Sequence, residues 1–443
     1  MTKLLNDYKF RAILTIIFLF AANVKAQIAS FDVTNYNAEI EPDIAAKSVK
    51  GKVIVQFDSL KNSLTEIQFD AGNLEIDAVS ENKNSLVFAK QKSLLNVILT
   101  RPANLNERRE ITIEYHGTPK YGISFFPDQK QIYTIFSTSQ WMPCVDAPDD
   151  RAAFRLNLIL PRDFKVVGNG NFIKQSNLSG DKISSVWEQK NPVPTYIFGF
   201  AAGNFKEFAE RSKRVEFRYL VSPQFSIEEL LKIFRSTSDM LNFYESKAGV
   251  KYADKTYTQI LAAGGVEQEM SSFTALGDDY GQGVLKDETD IWLGAHEFAH
   301  QWWGNMVTNQ NWNHFWLNEG IASFMADAYL EHRFGRERYL AEIEKSKMRY
   351  EKARDAGNDK SLVFPDWNKP TREDRTIVYQ KGAYVMHLLR EKLGDEIFWK
   401  CLKEYTQTFW GKSVTTIEFQ KSFEKSSGQD LSAFFDKWIY LKK

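Results

Sequence analysis

The strongest chemical signal in the chain is a pair of histidines four residues apart. His296 and His300 bracket Glu297 in Trp292-Leu-Gly-Ala-His-Glu-Phe-Ala-His-Gln-Trp-Trp, an H-E-x-x-H arrangement inside a stretch of helical pattern. Positions i and i+4 share a helix face, so both imidazoles can converge on one ion. Two neutral imidazoles and one carboxylate suit a single zinc ion and leave a fourth position for water. The carboxylate is expected from a neighbouring helix. Glu319 lies 19 positions after His300, in Trp316-Leu-Asn-Glu-Gly-Ile-Ala, where a second helical period begins. Glu297 points beside such a metal, where a carboxylate can take a proton from an attacking water. A structural zinc site is usually closed by four protein ligands, often Cys. The chain's two, Cys144 and Cys401, are far away in sequence, so a catalytic metal is expected. His116, His314, His332 and His387 are read as ordinary, His314 being the nearest to the site in sequence.

Helices must hold these groups, and helical period is confined to the second half of the 443 residues. From Asp32 to about Pro223 the runs are short and alternate at period two, as in Gly51-Lys-Val-Ile-Val-Gln-Phe57 and Glu110-Ile-Thr-Ile-Glu-Tyr115, with turn residues between them. Many short strands at this spacing predict an all-β sandwich or saddle-shaped sheet domain. From about Gln224 the period moves to 3.6, predicting helices over Ile227–Phe234, Thr289–Asn305, Ile321–His332 and Lys381–Leu393. A β interlude, Thr256 to Ala263, ends in Gly264-Gly265. The expected division is a β domain over 27–222 and an α+β catalytic domain over 223–443.

Composition narrows the classes further. Hydrophobic residues at 43% and charged residues at 26% exclude a fibrous or wholly disordered chain. Lys+Arg 57 against Asp+Glu 57 gives no bulk positive field for nucleic acid. Two Cys are too few for a disulfide scaffold and are expected as free, buried thiols. At the N-terminus Lys3, Lys9 and Arg11 precede an apolar run from Ala12 to Ala22, then Val24-Lys25-Ala26. This reads as a secretory signal peptide over 1–26, cut before Gln27, with export to the periplasm or medium. No later stretch reaches 18 apolar residues, so no membrane span is expected in the mature chain.

Taken together, these residues resemble the aminopeptidase N family of zinc metallopeptidases, the gluzincin type that also includes leukotriene hydrolase. His296, Glu297, His300 and Glu319 match its H-E-x-x-H-(18)-E signature. Gly264-Gly265-Val266-Glu267-Gln268 is similar to its G-A-M-E-N exopeptidase motif at the first Gly and at Glu. Tyr379-Gln-Lys-Gly-Ala383 resembles its Y-x-K-G-A, and Trp141-Met-Pro-Cys-Val-Asp-Ala-Pro148 its W-x-P-C-x-D-x-P. The resemblance implies a thermolysin-like catalytic domain and removal of N-terminal residues from peptides. It also implies that Tyr379 stabilises the transition state and that Glu267 holds the substrate's α-amine. The segment ending at Gly264-Gly265 is expected to be an edge strand that a substrate peptide extends.

The departures also carry expectations. Phe136-Ser-Thr-Ser-Gln140 offers no second acid for the amine, so Gln140 or Ser137 is expected to substitute. A solvated carboxylate is the competing reading for Glu267, and more so for Glu269. The family's helical C-terminal domain would follow Trp438, and a short form lacking it would have an open cleft. That leaves two alternatives to an aminopeptidase: a zinc endopeptidase, or a peptide-binding protein with little turnover. Glu297 disfavours the second, because a pure binder has no use for a general base.

Overall fold

The structure is a computed structural model that describes residues 30–212, 214–265, 267–364 and 370–442. The expected signal peptide lies outside the described residues. Period-two alternation from Phe31 onward builds three sheets. The largest has eight strands in the order 171–178, 182–194, 151–161, 31–43, 48–59, 108–117, 75–81, 84–85. Its inward residues pair in register, Val53 with Ile113 and Val55 with Ile111. They bury an aliphatic and aromatic core that includes Val33, Tyr36, Phe154 and Trp141. A three-stranded sheet (64–70, 94–103, 87–91) and a four-stranded one (165–168, 200–203, 131–134, 123–126) complete the N-terminal domain.

A second four-stranded sheet, in the order 206–211, 216–221, 256–262, 273–277, belongs to the catalytic domain. Its residues Phe217, Tyr219 and Tyr257 share one core with the helices. Two expectations change here. The domain boundary falls between Gly203 and Lys206, not at 222/223, because strand 206–211 pairs with 216–221 and 216–221 in turn pairs with Thr256–Ala262. Thr256–Ala262 is not an edge strand, since it is flanked on both sides by parallel neighbours. Beyond it, Gln268 bridges Ala275 of strand Phe273–Gly277 across two backbone hydrogen bonds.

Three helical elements position the site. The motif helix runs Trp292–Ala299 and the acid helix Trp316–Phe334. The tyrosine helix, Gly382–Leu393, follows a π turn over Ile377–Lys381. The motif helix is shorter than the predicted Thr289–Asn305. Past His300 the chain turns back through Gly304 at φ +142°, and Gly304 N donates to Val307 O at 2.8 Å. Cys144 and Cys401 are free and buried. No helix among the described residues is long and apolar enough to cross a membrane.

Candidate active site

Three lone pairs converge on one point. His296 Nε2 and His300 Nε2 stand 3.1 Å apart, and Glu319 Oε2 lies 3.4 Å from the first and 3.3 Å from the second. The other nitrogen of each ring faces elsewhere. His300 Nδ1 meets the Trp303 carbonyl oxygen at 3.1 Å, which only an N–H can satisfy. His296 Nδ1 faces Ser323 Oγ at 3.4 Å. In the neutral form that binds a metal, with the ring proton on Nδ1, the two Nε2 atoms and Glu319 Oε2 present only acceptors to one another, an arrangement that a cation resolves. All three residues are buried. Two imidazoles and a carboxylate, with a fourth direction open, fit one zinc ion.

The fold explains how these groups meet. A Cβ on Gly382 would sit 2.7 Å from Gly320 Cα, so the acid and tyrosine helices cross in backbone contact. That crossing sets Glu319 and Tyr379 on either side of a common point. Tyr379 is further fixed by the turn that holds it: Lys381, wholly buried, donates to Asp359 Oδ1 at 2.8 Å and to Lys360 O at 2.7 Å. A Cβ on Gly304 would strike His300 Nδ1 at 2.7 Å, so a glycine there lets the Trp303 carbonyl reach the ring. The N-terminal domain braces the same turn. Arg151 donates to Asn305 O and Thr308 Oγ1 at 3.0 and 2.7 Å, and Tyr196 OH donates to Gly304 O at 3.2 Å.

Electrostatics in the site favour a cation. Burial alone raises the Glu319 carboxyl, but the adjacent imidazoles overcome it and hold the group at about 2. His300 is opposed by burial and is pushed up to about 10 by the charges of Glu319 and Glu269. His296 is lowered, chiefly by burial. Glu297 is buried, its Oε2 has no partner, and burial followed by the Glu269 charge raises it well above the usual carboxylate range. Tyr379 keeps its proton, since burial and then the charges of Glu319, Glu269 and Glu297 all oppose its ionisation. Its ring lies 6.0 Å from that of His296.

The other sequence candidates fall into place unevenly. Gly264, at φ +91°, and Gly265 are exposed. Glu267 is half-buried, and its charge reaches Glu297. Gln140 does not face the site: it is buried with its side chain against Gly72 and Gly122. Within that turn, Phe136, Ser137 and Ser139 line a cavity of about 370 Å³ that Tyr196, Trp312 and Tyr379 close from the other side. Glu269 is not solvated either. It is 4% exposed, with Oε1 unpartnered, Oε2 accepting from Gln268, and a carboxyl raised to about 7 mainly by burial. His314 faces Thr416 Oγ1 at 3.0 Å, away from the ligands. A larger cavity of about 950 Å³ at the far end of the eight-stranded sheet carries no convergent ligands. Sequence reasoning passed over Ser323, Asp327 and Trp292. Projecting each helix at four-residue steps from His296 and Glu319 would have found them.

A β domain beside an α+β domain that carries a buried His-His-Glu cluster, with Glu297 next to it, defines a two-domain fold with a candidate metal centre of the H-E-x-x-H type and a glutamate third ligand. The family models agree: the peptidase M1 N-terminal domain matches residues 33–197, and the peptidase family M1 domain matches residues 233–438. The chain belongs to peptidase family M1. It is 25% identical over 434 residues to the probable aminopeptidase 1 of Sulfurisphaera tokodaii, covering 94% of this chain and 53% of that protein. It is 27% identical over 454 residues to the aminopeptidase N of Lactococcus lactis subsp. lactis, covering 94% and 52%. The chain thus spans about half the length of these curated relatives. The crystal structure of the M1 zinc metallopeptidase from Deinococcus radiodurans shares the fold, with a TM-score of 0.78 at 22% identity over 93% of this chain and 94% of that one.

Proposed function

We propose that the protein is a zinc aminopeptidase that hydrolyses the first peptide bond of its substrates. The observation that carries this reading is the unpartnered, buried Glu297 Oε2 beside the three converging ligand atoms. A zinc ion held by His296, His300 and Glu319 would supply Lewis acidity toward a carbonyl oxygen and an attacking water. Glu297 would take a proton from that water and return it to the leaving amine nitrogen as the C–N bond breaks. The Tyr379 hydroxyl would donate to the oxyanion of the tetrahedral intermediate. Glu267 would hold the α-ammonium, and the exposed backbone at Gly264-Gly265 would let the peptide main chain approach closely. The names of the two curated relatives above, a probable aminopeptidase and an aminopeptidase N, support the exopeptidase form. A free-amine aminoacyl reporter should be cleaved and its N-acylated counterpart spared. Equal cleavage of both would replace this reading by an endopeptidase.

We further propose export to the periplasm or medium, supported by the charged start, apolar run and small-residue cut site of residues 1–26. The protein recovered from its host should begin at Gln27.

A further inference from the structure

Along one seam the motif and acid helices meet rung by rung. The acid helix presents Glu319, Ser323 and Asp327 at i, i+4 and i+8, and the motif segment answers with His300, His296 and Trp292 at the same steps in reverse. Glu319 reaches both ligand nitrogens, Ser323 Oγ faces His296 Nδ1 at 3.4 Å, and Asp327 Oδ1 accepts from Trp292 Nε1 at 2.7 Å. The indole held by that last bond lies nearly parallel to the His296 ring, at 5.0 Å between centroids and 14° between planes. Asp327 is 1% exposed and, among the described residues, its Oδ2 has no partner, while its Oδ1 accepts the hydrogen bond that fixes the indole.

We propose that Trp292 and Asp327 are positioning residues for the metal ligand His296. Asp327 fixes the plane of the Trp292 indole, and the indole fixes the plane of the imidazole stacked on it. The Trp303 carbonyl grips His300 at 3.1 Å, and behind His296 stand the Ala322 backbone and the Ser323 hydroxyl at 3.4 Å; the stacked indole adds a constraint on the plane of the His296 ring. An imidazole free to swing about its Cβ–Cγ bond would spend part of its time with Nε2 off the metal, and loss of such outer support typically costs about 10- to 100-fold in metal affinity. Burial of a half-buried tryptophan between helices is an ordinary packing device. A directed, buried carboxylate on its N–H is the feature that packing alone does not call for.

This inference rests on the zinc reading of the site, and its test separates the two. The full chain is loaded with zinc, and its affinity is read by competition against a chelator of known strength. The unfolding temperature of the metal-free protein is recorded alongside. Trp292→Leu and Asp327→Ala should each weaken zinc by about 10- to 100-fold, while Asp327→Asn, which keeps the acceptor, should stay close to the parent. Trp292→Phe keeps an aromatic ring to stack but loses the N–H and part of the indole's area, so it should fall between the parent and Trp292→Leu. It also serves if the truncations do not fold. Parent-like affinity in Trp292→Leu and Trp292→Phe overturns the inference, whatever the unfolding temperature does. An Asp327→Asn variant as weak as Asp327→Ala overturns the role given to the hydrogen bond. A parent protein that binds no zinc would instead remove the metal site itself.

Discussion

The two ends of the cleft are built on different principles. At the metal end, helices cross so tightly that Gly320 and Gly382 touch backbone to backbone. There each histidine ligand has a partner behind it: the Trp303 carbonyl for His300, and Ser323 and the Asp327-held Trp292 for His296. At the amine end, Gly264 and Gly265 are exposed, Glu267 is half-buried, and a Cβ on Gly265 would meet nothing within 4 Å. That stretch is tied down mainly at its flanks, by Ala263 N donating to Gln131 Oε1 at 2.8 Å and by Phe136 N donating to Gln268 Oε1 at 3.0 Å. Bond-making chemistry needs groups held to within about half an ångström, whereas recognition of a peptide terminus tolerates adjustment.

Substitutions at the two ends should therefore fail differently. Tyr379→Phe removes the oxyanion donor without touching packing, and kcat should fall by about 10²–10³ with KM little changed. A Tyr379→Phe enzyme with parental kcat would take the tyrosine out of the chemistry. Gly382→Ala forces a methyl into the Gly320 backbone, so the helices must part. A displacement of about 1 Å at such a site costs on the order of 10² in rate. Steady-state kinetics and the melting temperature should fall together, and parental values for both would show that the crossing has slack. Glu267→Gln at the amine end should act mostly through KM, by about 10- to 100-fold for free-amine substrates, because a desolvated charge pair is worth about 1.5–3 kcal/mol. A pure kcat effect would move Glu267 to the chemical end.

Much of the metal end was legible in the sequence because it is local. Helical spacing alone aligns His296 with His300 and offers Glu319 on the next helix. The amine end was read less well. Which side chain of the Phe136–Gln140 turn faces the cleft depends on how the turn docks, and the fold buries Gln140 against Gly72 and Gly122. Glu269 looked solvated because nothing in its neighbours along the chain announces burial. Its surroundings come from residues more distant along the chain: Asn305 donates to its carbonyl, and the charges of His300 and Glu319 reach its carboxyl. The domain boundary was misplaced for the same reason: strands 206–211 and 216–221 alternate like those before them, and only the pairing of 216–221 with Thr256–Ala262 assigns this pair to the catalytic domain.

The smallest expected effect concerns the seam between the domains. Asp254, 5% exposed, accepts from Gln189 and Asn191 at 3.5 Å, and burial raises its carboxyl from 3.8 to about 6. The folded state therefore holds this proton more tightly than the unfolded chain, and stability is lost as pH rises from about 4 through 6. The cost then stays constant, at about 3 kcal/mol by the usual 1.36 kcal/mol per unit. Asp254→Asn should remove that loss. The melting-temperature gap between variant and parent should open from pH 4 to about 6.5 and stay flat above. A gap independent of pH would show that Asp254 is solvated in solution.

The most direct test of the metal centre is zinc content per chain after dialysis, measured together with aminoacyl-reporter turnover, in the parent, Glu297→Gln and His296→Ala/Glu319→Ala. The parent should keep one zinc and turn over. Glu297→Gln should keep one zinc and lose several orders of magnitude in rate, and the double variant should lose both. Zinc retained by the double variant, or parental turnover in Glu297→Gln, would contradict the assignment of these residues.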